Sequence, residues 1–143
     1  MLIGRRLAFD YGDVRIGVAS CDPEGILATP VATVKNTPDT VWLEIKSIMD
    51  EYEPVGVFIG EPKHLSGRES ESGEKAHLFA QAITDRFGIP CIMIDERLST
   101  VSASRQMRES GKNAKESKSA IDQVAAVAIL EQGLAILKRE KNQ

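Results

Sequence analysis

The sequence predicts an α/β domain: a five-stranded mixed sheet, three antiparallel strands and then two parallel ones, flanked by helices on both faces. Three observations predict it. The first third holds three β-type runs joined only by turn chemistry, two short continuous apolar runs follow, and stretches with the 3.6-residue period lie between and after them. A chain of 143 residues fits one such domain over 1–143, and can bury roughly two thirds of its unfolded surface without disulfides.

Arg5 to Asp10, Arg15 to Ser20 and Ala28 to Val34 are rich in Val, Ile, Leu and Ala. Tyr11-Gly12-Asp13 and Asp22-Pro23-Glu24-Gly25 between them are turn sequences, so two hairpins follow one another. Thr37-Pro38-Asp39 offers a helix cap with proline in the first turn, and Val41, Ile45, Ile48 and Met49 recur at helical spacing up to Tyr52, where Pro54 stops the helix. Val55 to Ile59 reads as a strand covered on both faces, and Glu61 to about Gly73 as a loop rich in Gly, Ser and charge. Ala76, Phe79, Ala80, Ile83 and Phe87 mark a helix from Glu74 that ends at Gly88, and Cys91 to Ile94 is another buried strand. Ser99 or Thr100 can cap a helix running towards Gly111, and a last helix is expected from about Ser119 to Lys138. That helix is apolar nearly all round from Val124 to Leu130, which predicts a position between the sheet and another helix. Strands alternating with helices should run parallel to the first strand through right-handed crossovers.

Composition narrows the class of protein. The longest apolar stretches fall well short of the about 20 residues that span a bilayer, and the start carries no signal-peptide core, so a cytoplasmic protein with no membrane partner is expected. Cys21 and Cys91 lack metal-type spacing and lie beside apolar residues, as reduced core thiols do. The net charge of -3 does not advertise nucleic-acid binding, but Arg97 to Lys118 holds six basic residues against two acidic ones. That segment could follow a phosphate backbone, or be an ordinary solvated face.

Three acids sit at the edges of apolar runs: Asp10, Glu96 and Asp122. Each has an ordinary explanation. Asp10-x-Gly12 is turn chemistry, Asp95-Glu96-Arg97 could be a solvated turn, and Ser119-x-x-Asp122 is a helix-capping pattern. Together they favour a metal site, because carboxylates at the rim of a core are costly unless compensated. Oxygen ligands suit Mg²⁺ or Mn²⁺, and no Cys/His cluster invites zinc. Two such ions about 4 Å apart can align a water and stabilise the leaving oxygen of a phosphodiester. Asp10 would bridge them, Glu96 and Asp122 would complete the shells, Lys118 would offset phosphate charge one turn before Asp122, and Gly12 would let a backbone N–H approach an anion.

The segments Asp10-Tyr11-Gly12-Asp13-Val14-Arg15-Ile16-Gly17, Asp95-Glu96-Arg97-Leu98-Ser99-Thr100 and Lys118-x-x-Ile121-Asp122-x-x-Ala125-Ala126-x-x-Ile129-Leu130 resemble, in order and spacing, the bacterial YqgF or RuvX-like family over nearly the whole chain. The resemblance implies a ribonuclease H-like fold and a nuclease that helps mature the 5′ end of 16S ribosomal RNA from its precursor, in company with ribosomal particles. It makes Asp10, Glu96 and Asp122 the catalytic acids and places Gly12, Arg15, Arg97, Ser99, Thr100 and Lys118 around the substrate. There are departures. Val14 stands where the family often has Lys, and Gly60-Glu61-Pro62 where Gly-Leu-Pro is usual, so Glu61 is either a fourth acid or, as favoured here, a solvated loop residue. His64 in that loop could move protons, though a plain surface histidine is favoured.

Other functions remain open on the sequence. One is a resolvase of four-way (branched) DNA junctions, which would need a homodimer where an RNA nuclease could act as a monomer. Another is a nucleotide-binding module like the Asp-x-Gly hairpin of the actin and sugar-kinase superfamily, against which the single copy of the fold counts. A third is a ribosome-assembly factor without nuclease activity.

Overall fold

The computed structural model describes residues 4–62, 71–96 and 115–141, with side chains from residue 73 in the second stretch and for 122–140 in the third. Five strands form one sheet: β1 (Arg6–Tyr11), β2 (Arg15–Cys21), β3 (Ala28–Lys35), β4 (Gly56–Glu61) and β5 (Cys91–Asp95). Their spatial order is β3-β2-β1-β4-β5. The first three pair antiparallel, and β4 and β5 run parallel to β1, as the turn and helix pattern predicts. Three helices complete the described chain: α1 (Val41–Tyr52), α2 (Glu71–Phe87) and α3 (Lys115–Lys141).

Strand alternation sorts the side chains into two layers of different size. Leu7, Phe9, Ile16, Val18, Val57 and Ile59 point to one face and pack on Val41, Ile45 and Met49 of α1 and Phe79 and Ile83 of α2. The other face presents Ala8, Ala19, Phe58 and Ile94 to Ala125, Ala126, Ile129 and Leu130 of α3. Small strand residues on that second face let α3 lie close across β2, β3 and β1. This close approach brings an α3 carboxylate to the sheet.

Local chemistry sets the ends of the elements. The chain leaves α1 through Glu53 in the left-handed conformation (φ 46°), whose N–H donates to the Met49 carbonyl, and Pro54 follows. Gly88, at φ 68°, closes α2 in the same way. The β2–β3 turn is held by the Asp22 carboxylate, which accepts N–H bonds from Ile26 (2.7 Å) and Leu27 (2.8 Å). Those donors, Leu27 first, keep it below the usual carboxylate range.

Several boundaries differ from expectation. The residue before α1 is Thr40, not Thr37; Thr37 instead bonds Thr40 hydroxyl to hydroxyl (2.6 Å) in a turn ahead of the helix, so Pro38 stands outside it. The helix that carries Asp122 begins at Lys115, about one turn before the expected start at Ser119, because Lys and Glu extend it without any apolar period. The expected helix from Ser99 or Thr100 to Gly111 lies outside the described residues. Both cysteines are free thiols; Cys21 is buried and burial pushes the half-covered Cys91 up from its ordinary pKa.

Candidate active site

Asp10, Gly17 and Gly60 lie side by side on the face that α3 covers. Asp10 pairs with Gly17 across the antiparallel ladder, and the parallel register Phe9 to Ile59 puts Gly60 at its other flank. Two residues without side chains therefore border the Asp10 carboxylate, and other acids use the room they leave. A methyl group on Gly17 would stand 2.1 Å from the Asp122 carbonyl oxygen and 3.2 Å from its Cβ. One on Gly60 would stand 3.3 Å from Glu96 Cγ. Asp122 thus hangs over Gly17, Glu96 over Gly60, and Asp10 rises between them.

Neighbouring strands are about 4.8 Å apart, so the three acids start from a patch about 10 Å wide. All three are withdrawn from water, with exposures of 2% for Asp10, 4% for Glu96 and 2% for Asp122. The ordinary explanations lose ground here. Asp10 is inside a strand, Glu96 is buried at the carboxyl end of β5, and Asp122 sits two turns into α3, beyond the first turn where it could cap.

Arg15 meets this cluster from β2. Its Nε donates to Asp122 Oδ2 at 2.7 Å, between a side chain 29% exposed and one 3% exposed. Removing the guanidinium would take a short charged contact away from a buried carboxylate. Arg15→Ala is expected to cost about 2 kcal/mol in urea unfolding with chelator present, and a divalent cation should recover part of that loss by taking the guanidinium's place. An unfolding midpoint that ignores both the mutation and the metal would contradict this role.

The donor set tests the metal expectation. Three carboxylates offer oxygen alone, which suits a hard divalent ion in type, and they converge on one face. Among the described residues, however, no group of three or more His, Cys, Asp and Glu is drawn together as a finished cage. Asp122 is turned onto Arg15 instead. The residues fit Mg²⁺ or Mn²⁺ in the chemistry of their donors, and seating an ion would call for Asp122 to loosen from Arg15.

Gly12 is confined by close approach: a Cβ there would stand 2.6 Å from the Arg15 carbonyl oxygen. The Gly12 carbonyl itself accepts a bond from Asn36 Nδ2 (2.8 Å). Lys118 lies in α3, one turn before Asp122, where the sequence spacing puts it. Arg97, Ser99, Thr100 and His64 lie outside the described residues. Val14, at the turn between β1 and β2, is 68% exposed, so its replacement of a basic residue leaves an apolar side chain at the rim.

Glu61 is the main correction. It is the last residue of β4, 8% exposed, and neither a solvated loop residue nor a fourth member of the cluster. Gly60 faces α3, so alternation turns Glu61 to the opposite layer, where its carboxylate meets His77 Nε2 of α2. His77 gave no sequence signal, because an exposed helix position carries no period of its own.

A family model described as RuvX, Holliday junction resolvase, matches residues 4–136. A protein of Streptomyces avermitilis that carries the provisional name pre-16S rRNA nuclease is 48% identical over 134 residues, covering 92% of this chain and 85% of that protein. One from Rhodococcus opacus, with the same provisional name, is 46% identical over 97% of this chain and 82% of its own length. Among solved structures, RuvC of Thermus thermophilus in complex with a Holliday junction substrate superposes with a TM-score of 0.59 at 14% identity, over 94% of this chain and 96% of that one. That likeness shows the fold, which is ribonuclease H-like. The chain belongs to the RuvX family.

Proposed function

We propose that this chain is a single-domain, metal-dependent endonuclease that hydrolyses phosphodiester bonds in structured RNA, and that its substrate is the 5′ extension of precursor 16S rRNA. The observation that carries the proposal is the placement of Asp10 between two glycines under Glu96 and Asp122. The names of the relatives supply the substrate.

Asp10, Glu96 and Asp122 would hold Mg²⁺ or Mn²⁺, whose chemistry is to polarise the scissile phosphate and lower the pKa of the attacking water. The chain's own residues do the rest. Burial under α3 keeps bulk water from the carboxylates and strengthens their field. Arg15, once parted from Asp122, would reach a phosphate oxygen with a fork suited to it. Gly12, whose Cβ position the Arg15 carbonyl fills, keeps the β1 turn tight where the strand would pass, and Arg97, Ser99, Thr100 and Lys118 would line the path of the RNA. Among the described residues no helix is long and apolar enough to cross a membrane, which is compatible with work on ribosomal particles in the cytoplasm.

The family model's description favours a second reading, cleavage of four-way DNA junctions. One assay separates the two. With Mg²⁺ or Mn²⁺, the protein should cut a precursor 16S transcript within its 5′ extension, lose this activity with chelator, and leave a four-way junction intact. Paired symmetric nicks in the junction with untouched RNA would move the function to the second reading. RNA binding without cleavage in either metal would leave an assembly factor.

A further inference from the structure

The opposite face of the sheet carries a second feature at the same edge. A cleft of about 240 Å³ opens between the start of α1 and α2, walled by the rings of Tyr11, Trp42 and Phe79 and rimmed by Asn36, Lys75 and Leu78. We propose that this cleft is a nucleobase site: it takes an unpaired base of the strand being cut. The proposal rests on the nuclease reading for the identity of the strand.

Continuity with the acid cluster is the first argument. Tyr11 directly follows Asp10, and successive strand residues point to opposite faces with Cα atoms about 3.8 Å apart. A strand crossing the end of β1 would meet carboxylates on one side and the cleft on the other. The rim is tied to the same turn, since Asn36 Nδ2 donates to the Gly12 carbonyl (2.8 Å) and Lys75 Nζ pairs with Asp13 (3.1 Å).

Chemistry is the second argument. Three rings converge, Tyr11 on Phe79 at 4.9 Å and Trp42 stacked on Phe79 at 5.6 Å, with the Arg86 guanidinium 4.2 Å above Trp42. Aromatic walls beside a cation and an amide are what single-stranded nucleic acid binds, by stacking and by backbone charge. The Lys75–Asp13 pair is exposed on both sides, so its ammonium can exchange to a phosphate at little cost. The volume lies below the about 300 Å³ at which drug-sized sites begin, which suits one base.

Trp42 is the chain's single tryptophan, so its emission reports on the cleft directly. The full-length protein, in chelator to prevent cutting, is titrated with a short oligouridylate, the matching oligodeoxynucleotide, an abasic strand of equal length and a duplex. Base-containing single strands should change the emission saturably, and the RNA and DNA arms show which sugar is preferred; the abasic strand and the duplex should leave it nearly unchanged. Lys75→Ala, which removes a cation facing the backbone, and the surface change Leu78→Glu, which sets a like charge against it, should each weaken oligouridylate binding by about tenfold. An equal response to the abasic strand, or binding with no change in emission, would overturn the site. Cleavage of precursor RNA, measured on the same preparation with metal, keeps the two proposals apart. Cleavage without a base-dependent response defeats the cleft alone, and a base-dependent response without cleavage defeats the nuclease reading and leaves the cleft as a base site for a strand that is bound and not cut.

Discussion

Asp10→Asn is expected to lower cleavage of precursor 16S RNA by about 10³-fold or more while the chain stays folded. Asn keeps the volume and most of the hydrogen-bonding capacity of Asp, and removes only the charge. If a bound cation contributes about 4 kcal/mol to the transition state, losing the ligand at the centre of the cluster removes that contribution. The strand itself should tolerate the change, because Asp10 is fixed by its pairing with Gly17 and its flanking residues by the core, not by an ion.

Stability measured without metal gives the same prediction a second edge. Three carboxylates, each at most 4% exposed, lie on one poorly solvated face, where a charge is costly to keep. Neutralising Asp10 should hold the melting temperature level or raise it by a few degrees in chelator. Added Mn²⁺ should raise the melting temperature of the unmodified protein and not that of the variant, because an ion that binds only the folded state stabilises it by mass action. A variant that cuts at the normal rate would remove Asp10 from the chemistry. A variant that is inactive yet still shows the full Mn²⁺ shift would place the ion elsewhere.

The sequence carried the sheet further than the site. Alternation in β1 was enough to put Asp10 with Ala8 on one face and Leu7 with Phe9 on the other, and the structure has that arrangement. The mixed topology was legible for the same reason, since turns after β1 and β2 allow only hairpins while the helices after β3 and β4 allow crossovers. Gly17 and Gly60 were not legible as flanks of Asp10. Their role depends on register between strands far apart in the chain, which no local pattern encodes. Glu61 was misread because the Gly60-Glu61-Pro62 composition suggests a loop, whereas the pairing of Glu61 with Asp95 continues the β4–β5 ladder to that residue and His77 receives its carboxylate. The capping explanation for Asp122 failed similarly: the helix reaches back to Lys115 through residues with good intrinsic propensity but no apolar period.

Gly17→Ala is expected to be the most destabilising single methyl group that can be added near the site. The new Cβ would lie 2.1 Å from the Asp122 carbonyl oxygen and 2.6 Å from its carbonyl carbon, and both are backbone atoms of α3. A side chain could rotate away, but the helix backbone can only move as a body, away from β2, β3 and β1 together. Overpacking usually costs about 1–3 kcal/mol, and an obstacle of this kind belongs at or beyond the upper end. The melting temperature should fall by roughly 10 °C. Gly60→Ala supplies the contrast, because its nearest neighbour is the terminal Cδ1 of Ile129 at 2.5 Å, an atom that can swing aside. It should cost about 1 kcal/mol. Its effect on cleavage should be larger than its effect on stability, since Glu96 Cγ at 3.3 Å must also give by a few tenths of an ångström, and reaction rates are sensitive to small misplacements of catalytic groups. Differential scanning calorimetry and cleavage rates on the two variants would check the pair. Equal melting temperatures would mean that α3 does not rest on Gly17, and that Asp122 reaches the cluster by another route.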